Sequence, residues 1–121
     1  MKTTDKHFEV FKKECEKWIK ELGLNGWEWR FHHKFTEGGN LARSIYHDTD
    51  RYSTIFLNTD WGEIKPTNLE LRKTAFHEVV ETGLMGMIRS IAENREFNQD
   101  QLDSEIHRII LILQNVFFER G

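Results

Sequence analysis

The chain has 121 residues, of which 38% are hydrophobic and 31% are charged, and its formal net charge is −3. A chain of this length forms one compact core but not two, so residues 1–121 are expected to be a single domain. The small negative charge gives no general attraction to nucleic acid. The single cysteine excludes an internal disulfide and fits a reducing cytoplasm. We expect neither a secretory leader nor a membrane-spanning segment.

A periodic run of apolar residues near the start of the chain predicts an amphipathic helix. The apolar residues recur at steps of three and four, with lysine and glutamate between them, which is the spacing of one helix face. Gly23 is expected to end this helix. The apolar positions are Phe8, Phe11, Cys15, Trp18 and Leu22.

Three strands are predicted after this helix. Residues 27–35 alternate strictly, with four aromatic residues on one face and charged residues on the other, which is the two-residue period of a strand. Residues 38–40 are a predicted turn. Residues 41–47 and 52–58 are predicted to be two further strands, joined by a turn at residues 48–50.

Two more helices are predicted in the remainder of the chain. Residues 67–70, which follow Pro66, match a capping box and start a helix that is expected to continue through residues 83–86. A polar break at residues 94–100 precedes a last helix. This order of elements predicts an α+β domain in which the helices pack against a three-stranded antiparallel sheet. The apolar line of the last helix is Leu102, Ile106, Ile109, Ile110, Leu113, Val116 and Phe117.

The stretch from His77 to Glu81 reads His-Glu-x-x-Glu, one residue different from the zinc-protease signature His-Glu-x-x-His. Positions i and i+4 lie on one helix face about one turn apart, so His77 and Glu81 can hold the same cation. Glu78 projects about 100° around the helix. It occupies the position of the general base that activates water in the parent signature. Because zinc accepts carboxylate as well as imidazole ligands, the sequence predicts a zinc site.

A solvated pair of charges is the alternative interpretation of this motif, because histidine and glutamate four residues apart are common on polar helix faces. The surroundings argue against it. Apolar residues are distributed around nearly the full circumference of residues 69–88, which is typical of a buried helix. A buried glutamate or histidine needs a partner or a metal.

A third ligand is expected, since structural and catalytic zinc sites have at least three protein ligands. The last helix offers Glu105 and His107. Helical phase favours Glu105, which lies beside the apolar face. Ligand chemistry favours His107, because it restores the set of two histidines and one glutamate found in many His-Glu-x-x-His enzymes.

The chain resembles the small zinc metallopeptidases of phages and prophages, which are similar in outline to minimal gluzincin and SprT-like domains. The resemblance covers nearly the whole chain. It implies a minimal zincin-like domain over residues 1–121: a helix, a small antiparallel sheet, an active-site helix and a ligand-bearing last helix. It also implies that the His-Glu-x-x-Glu form is paired with a histidine in the last helix, which favours His107. The segments that carry the resemblance are residues 11–19, 23–29, 55–58, 75–81, 105–110 and 113–118.

On this interpretation zinc is bound by His77, Glu81 and His107, and Glu78 is the general base. The substrate is a protein or peptide, and no nucleic acid or membrane is involved. We expect weaker activity than in a His-Glu-x-x-His enzyme, because a carboxylate ligand lowers the pKa of the zinc-bound water less than an imidazole does. Two other hypotheses stay open. One is a non-enzymatic domain that binds a phage or host protein, with or without a metal, and the other is a buried hydrogen-bond network of the same side chains.

Overall fold

The computed structural model describes residues 1–47, 52–93 and 98–118, and over these residues the protein is an α+β structure with four helices and one three-stranded sheet. The α+β class and the three strands are therefore confirmed. The predicted turn at residues 48–50, and residues 94–97 of the predicted polar break, lie outside the described residues. The elements are α1 (Asp5–Glu21), β1 (Glu28–His33), β2 (Ala42–His47), β3 (Tyr52–Leu57), α2 (Asn68–Gly83), α3 (Gly86–Ala92) and α4 (Gln99–Phe118).

The sheet is mixed, and the prediction that it is wholly antiparallel was wrong. The strand order is β1-β3-β2, with β3 antiparallel to β2 and parallel to β1. The chain reverses once between β1 and β2 and again between β2 and β3, so β1 and β3 run in the same direction. They become neighbours because β3 takes the centre, where its inward residues Ser53, Ile55 and Leu57 are fully buried. Strand β2 is thereby left at one edge.

A threonine side chain caps the start of both α1 and α2, and at α2 the structure shows the threonine half of the predicted capping box. The hydroxyl of Thr67 accepts a hydrogen bond of 3.2 Å from the backbone N–H of Glu70, which satisfies one of the unpaired donors at the start of α2. In α1 the side chain of Thr4 accepts from the backbone of His7, and the His7 ring accepts from the backbone of Thr4. Gly23 follows the end of α1 with φ of 70°, the left-handed conformation that glycine adopts readily.

The helix that carries the motif is shorter than predicted. It ends at Gly83, and a separate helix begins at Gly86, so the prediction of one continuous helix through residues 83–86 was wrong. Glycine has low helix propensity, and both glycines lie close to a neighbouring side chain, Gly83 to the flexible end of Leu24 and Gly86 to the base of Tyr46. A Cβ on Gly83 would lie 2.5 Å from Leu24, and one on Gly86 would lie 2.7 Å from Tyr46.

The core lies between the inner face of the sheet and the helices. Helices α1 and α2 pack against each other, and α2 also contacts β2 and α4. In α4 only Ile106 and Ile110 are buried, while Val116 and Phe117 of the predicted apolar line are each 47% exposed. Within the described residues, no helix has the length and hydrophobicity needed to cross a membrane. Fully buried core residues are Phe11, Cys15, Ile55, Leu57, Leu71, Ala75, Phe76, Val79, Val80 and Ile110.

Candidate metal centre

Helix α2 presents His77 and Glu81 on one half-buried face. The i,i+4 spacing places Nε2 of His77 3.1 Å from Oε2 of Glu81. Burial of the opposite face of α2, which includes Ala75 and Val79, fixes the rotation of the helix about its axis. The pair is therefore oriented by packing and does not depend on a flexible loop.

His107 of α4 joins this pair from across the helix interface. Its Nε2 lies 3.9 Å from Oε1 of Glu81, and its ring stacks on that of His77 with centroids 5.6 Å apart. One donor atom from each residue lies within 4.8 Å of the other two. Donor atoms around a tetrahedral zinc ion are roughly 3.3 Å apart, given metal–ligand bonds of about 2.0–2.1 Å. Small side-chain rotations therefore suffice to hold an ion in this His–Glu–His cluster (His77, Glu81 and His107).

The alternative third ligand, Glu105, does not join the cluster. Its carboxylate is exposed and accepts two hydrogen bonds from Arg108 on the same helix, at 2.6 and 2.9 Å. The Arg108 guanidinium lowers the pKa of Glu105, mainly through these hydrogen bonds. Of the two candidates on α4, the structure thus brings His107, and not Glu105, to the motif.

Glu78 lies beside the cluster and is almost completely buried, with 6% of its surface exposed. Burial raises the pKa of its carboxyl to about 7. The positive charge of His77 and a hydrogen bond with Ser44 lower it, while the charge of Glu81 adds to the rise. A carboxyl with a pKa near neutrality is able to take up and release a proton at physiological pH, as a general base must.

The charges of the cluster favour an ion pair when no metal is bound. Burial lowers the pKa of His77, but its hydrogen bond with Glu81 and the charges of Glu78 and Glu81 outweigh this and raise it overall. Burial raises the pKa of Glu81, but His77, Arg89 and His107 outweigh this and lower it overall. The carboxylate of Glu81 is therefore ionised at neutral pH, as a metal ligand must be.

Arg89 and Asp103 complete the surroundings of Glu81, and sequence reasoning missed both. Arg89 of α3 donates to Oε1 of Glu81 at 3.2 Å and to Asp103 of α4 at 2.5 Å. Asp103 precedes His107 by four residues, so the helix predicted for this segment places both side chains on one face, and this spacing could have indicated Asp103. No comparable signal marks Arg89, because its position depends on the break between α2 and α3.

Two clefts meet at the cluster. The larger, of about 500 Å³, contains His77, Glu78 and Glu81 together with residues 40–42. The smaller, of about 300 Å³, contains Glu81 and Arg89 together with residues 43–46. Glu81 lines both clefts, and the two linings together include residues 40–46, which contain most of the edge strand β2.

Comparison with known proteins gave no relative: no protein-family model, curated protein or solved structure matches this chain. Only the residues and their geometry therefore indicate what the site does.

Proposed function

We propose that the protein is a zinc-dependent peptidase in which His77, Glu81 and His107 bind the metal and Glu78 is the general base. The observation that carries the proposal is the convergence of three donor side chains from two helices within 4.8 Å, beside a buried carboxyl whose pKa is raised to about 7. A hydrogen-bond network of the three donor side chains does not require Glu78, a further carboxyl with a pKa of about 7, beside it.

The donor set fits zinc. Two imidazoles and one carboxylate are ligands that zinc prefers, and three protein ligands leave a fourth position open, as in catalytic sites. A zinc ion in this cluster would lower the pKa of a coordinated water and polarise a carbonyl group. The positive charge of the ion favours the ionised form of Glu78. Glu78 would then accept a proton during attack on the substrate and later donate it to the leaving amine.

An extended peptide is the substrate that the clefts suit best. Among the described residues, strand β2 pairs with β3 alone, so a peptide is able to pair with its other edge through main-chain hydrogen bonds. The stretch of residues 40–46 that lines the two clefts corresponds to about seven residues of extended chain, or roughly 23 Å at 3.3 Å per residue. The carbonyl to be cleaved would lie near the middle of such a peptide, beside Glu78 and Glu81.

We infer that this activity belongs in a reducing compartment such as the cytoplasm, in a phage-infected cell if the resemblance to phage peptidases holds. The chain has one cysteine, and Cys15 is fully buried with its pKa raised, mainly by burial. Such a thiol behaves as a small core residue and is inert.

The substitution Glu78→Gln tests the catalytic proposal, because it preserves shape and removes the proton acceptor. The zinc-loaded variant is expected to keep its metal and its melting temperature while losing at least about 100-fold in hydrolysis of an unfolded protein substrate, the typical contribution of general base catalysis. Glu70 lines the same cleft about two turns away, so Glu70→Gln is a matched control that should retain activity. Equal activity in wild type and Glu78→Gln would contradict the role of Glu78.

A non-catalytic binding module is the second candidate, and one observation favours it. Glu81 is already satisfied by His77 and Arg89 without a metal. Among the described residues, no buried side-chain nitrogen or oxygen lacks a partner. Wild-type protein that carries zinc but hydrolyses neither unfolded proteins nor proteins of a phage-infected lysate would support this candidate over the peptidase.

A further inference from the structure

Arg89 connects the three helices that surround the His–Glu–His cluster. From α3 it donates one hydrogen bond to Glu81 on α2 and another to Asp103 on α4, at 3.2 and 2.5 Å. Only 24% of its side chain is exposed. The planar guanidinium has donors in a fixed fork, so one side chain is able to hold two carboxylates at a defined separation.

We propose that Arg89 is the positioning residue of the metal ligand Glu81, and that Asp103 makes this role compatible with a cation. This inference depends on the proposed zinc site. Arg89 holds Oε1 of Glu81, and Oε2 faces His77. The carboxylate is thereby kept in one rotamer before the metal arrives. Fixing the rotamer in advance reduces the entropy that binding would otherwise cost.

Because Arg89 is positively charged, a cation site beside it needs a further carboxylate, that of Asp103. A guanidinium alone beside the cluster would repel a divalent cation. Asp103 neutralises this charge through a hydrogen bond of 2.5 Å, so Arg89 and Asp103 together contribute no net charge. Arg89 also lowers the pKa of Asp103, mainly through this hydrogen bond, which keeps Asp103 ionised.

The direction in which zinc affinity changes when Arg89 is removed distinguishes this role from the opposite one. If Arg89 instead competed with the metal for Glu81, its removal would free the carboxylate and strengthen zinc binding. If it positions Glu81, its removal weakens zinc binding. Side chains that orient metal ligands typically contribute 10- to 100-fold in metal affinity.

The experiment measures the zinc dissociation constant by competition with a chromophoric chelator, for wild type and variants of the full chain. Arg89→Ala is expected to weaken zinc binding by about 10- to 100-fold. Arg89→Lys should recover part of this loss, because an ammonium retains the charge but not the fork. Asp103→Asn should also weaken binding, because it exposes the charge of Arg89. Circular dichroism checks that each variant is folded, and Arg89→Lys and Asp103→Asn carry the test if Arg89→Ala does not fold.

Arg108→Ala is the matched control. Arg108 makes an arginine–carboxylate contact with Glu105 on α4 at similar distances, but away from the cluster, so its removal should leave the dissociation constant unchanged. Zinc binding in Arg89→Ala that is as tight as in wild type, or tighter, overturns the positioning role while leaving the zinc site intact. Failure of wild-type protein to bind zinc overturns the proposed function and this inference together.

Discussion

Arg89 donates a hydrogen bond of 3.2 Å to the oxygen of Glu81 that does not face His77. This contact gives a physical reason for glutamate where the zinc-protease signature has histidine. A carboxylate has two oxygens, so it accepts from Arg89 with one and faces His77 with the other. An imidazole at position 81 offers no such pair of acceptors, and Arg89 would lose one of its two anionic partners.

The raised pKa of Glu78 predicts a pH-dependent stability in the metal-free protein. Its pKa rises from 4.5 to about 7 on folding, so the folded state binds this proton more tightly than the unfolded state. The resulting stabilisation is fully present below about pH 4.5 and is lost as the pH rises through about 7. Glutamine at this position stays neutral and shows no such loss.

Urea denaturation in the presence of a chelator measures this effect. Relative to Glu78→Gln, wild-type protein should lose about 3 kcal/mol of unfolding free energy between pH 4 and pH 8, from a pKa shift of this size. His77 is present in both proteins, but the charge of Glu78 raises its pKa, so the difference between the two curves reports on Glu78 together with its coupling to His77. Curves that stay parallel across this range would show that Glu78 is not a buried, nearly neutral carboxyl.

Asn58 holds the loop that forms one wall of the larger cleft. Its side chain, 1% exposed, bonds both backbone groups of Thr36, the carbonyl of Asn40 and the N–H of Asp60. Asn58→Ala leaves several of these buried groups unpaired, so a loss of about 3 kcal/mol in urea denaturation is expected. Asn40→Ala, which removes a more exposed amide, should cost only about 1 kcal/mol. Equal losses in the two variants would contradict the anchoring role of Asn58.

Gly86 sets the distance between α3 and β2. A Cβ there would lie 2.7 and 2.9 Å from the Cγ and Cβ atoms of Tyr46, positions close to the backbone that move little. Gly86→Ala is expected to destabilise the protein by about 1–3 kcal/mol through overpacking. It should also weaken zinc binding, because α3 carries Arg89.

Gly26→Ala is the control for this prediction, since a Cβ at Gly26 meets no atom within 4 Å. Thermal unfolding and chelator competition on both variants make the comparison. A fully stable Gly86→Ala protein with unchanged zinc affinity would show that the close contact with Tyr46 does not constrain α3.

Local periodicity made much of the fold predictable. The alternation of residues 27–35 marks β1, and the steps of three and four residues mark α1, because each pattern reflects burial of one face. The position of β3 at the centre of the sheet was not predictable in this way. Strand order depends on which strands pair over long separations in sequence, and periodicity carries no information about pairing.

In the candidate site, likewise, only the proximity of side chains on one helix followed directly from the sequence. His77 and Glu81 are four residues apart on one helix, so their proximity follows from helix geometry. The approach of His107 was supported by ligand chemistry and by resemblance, while helical phase alone favoured Glu105. Arg89 could not have been assigned, because its contact with Glu81 depends on the break between α2, which ends at Gly83, and α3, which begins at Gly86.

Zinc stoichiometry measured by inductively coupled plasma mass spectrometry is the most direct test of the central claim. The protein is purified without a metal-affinity tag, dialysed against zinc and then against metal-free buffer. We predict one zinc ion per wild-type chain and per Glu105→Ala chain, since Glu105 pairs with Arg108 away from the cluster. We predict strong loss of zinc in His107→Ala and His77→Ala, because each removes one of the three converging donors. Zinc content that is the same in His107→Ala, Glu105→Ala and wild type would contradict the account.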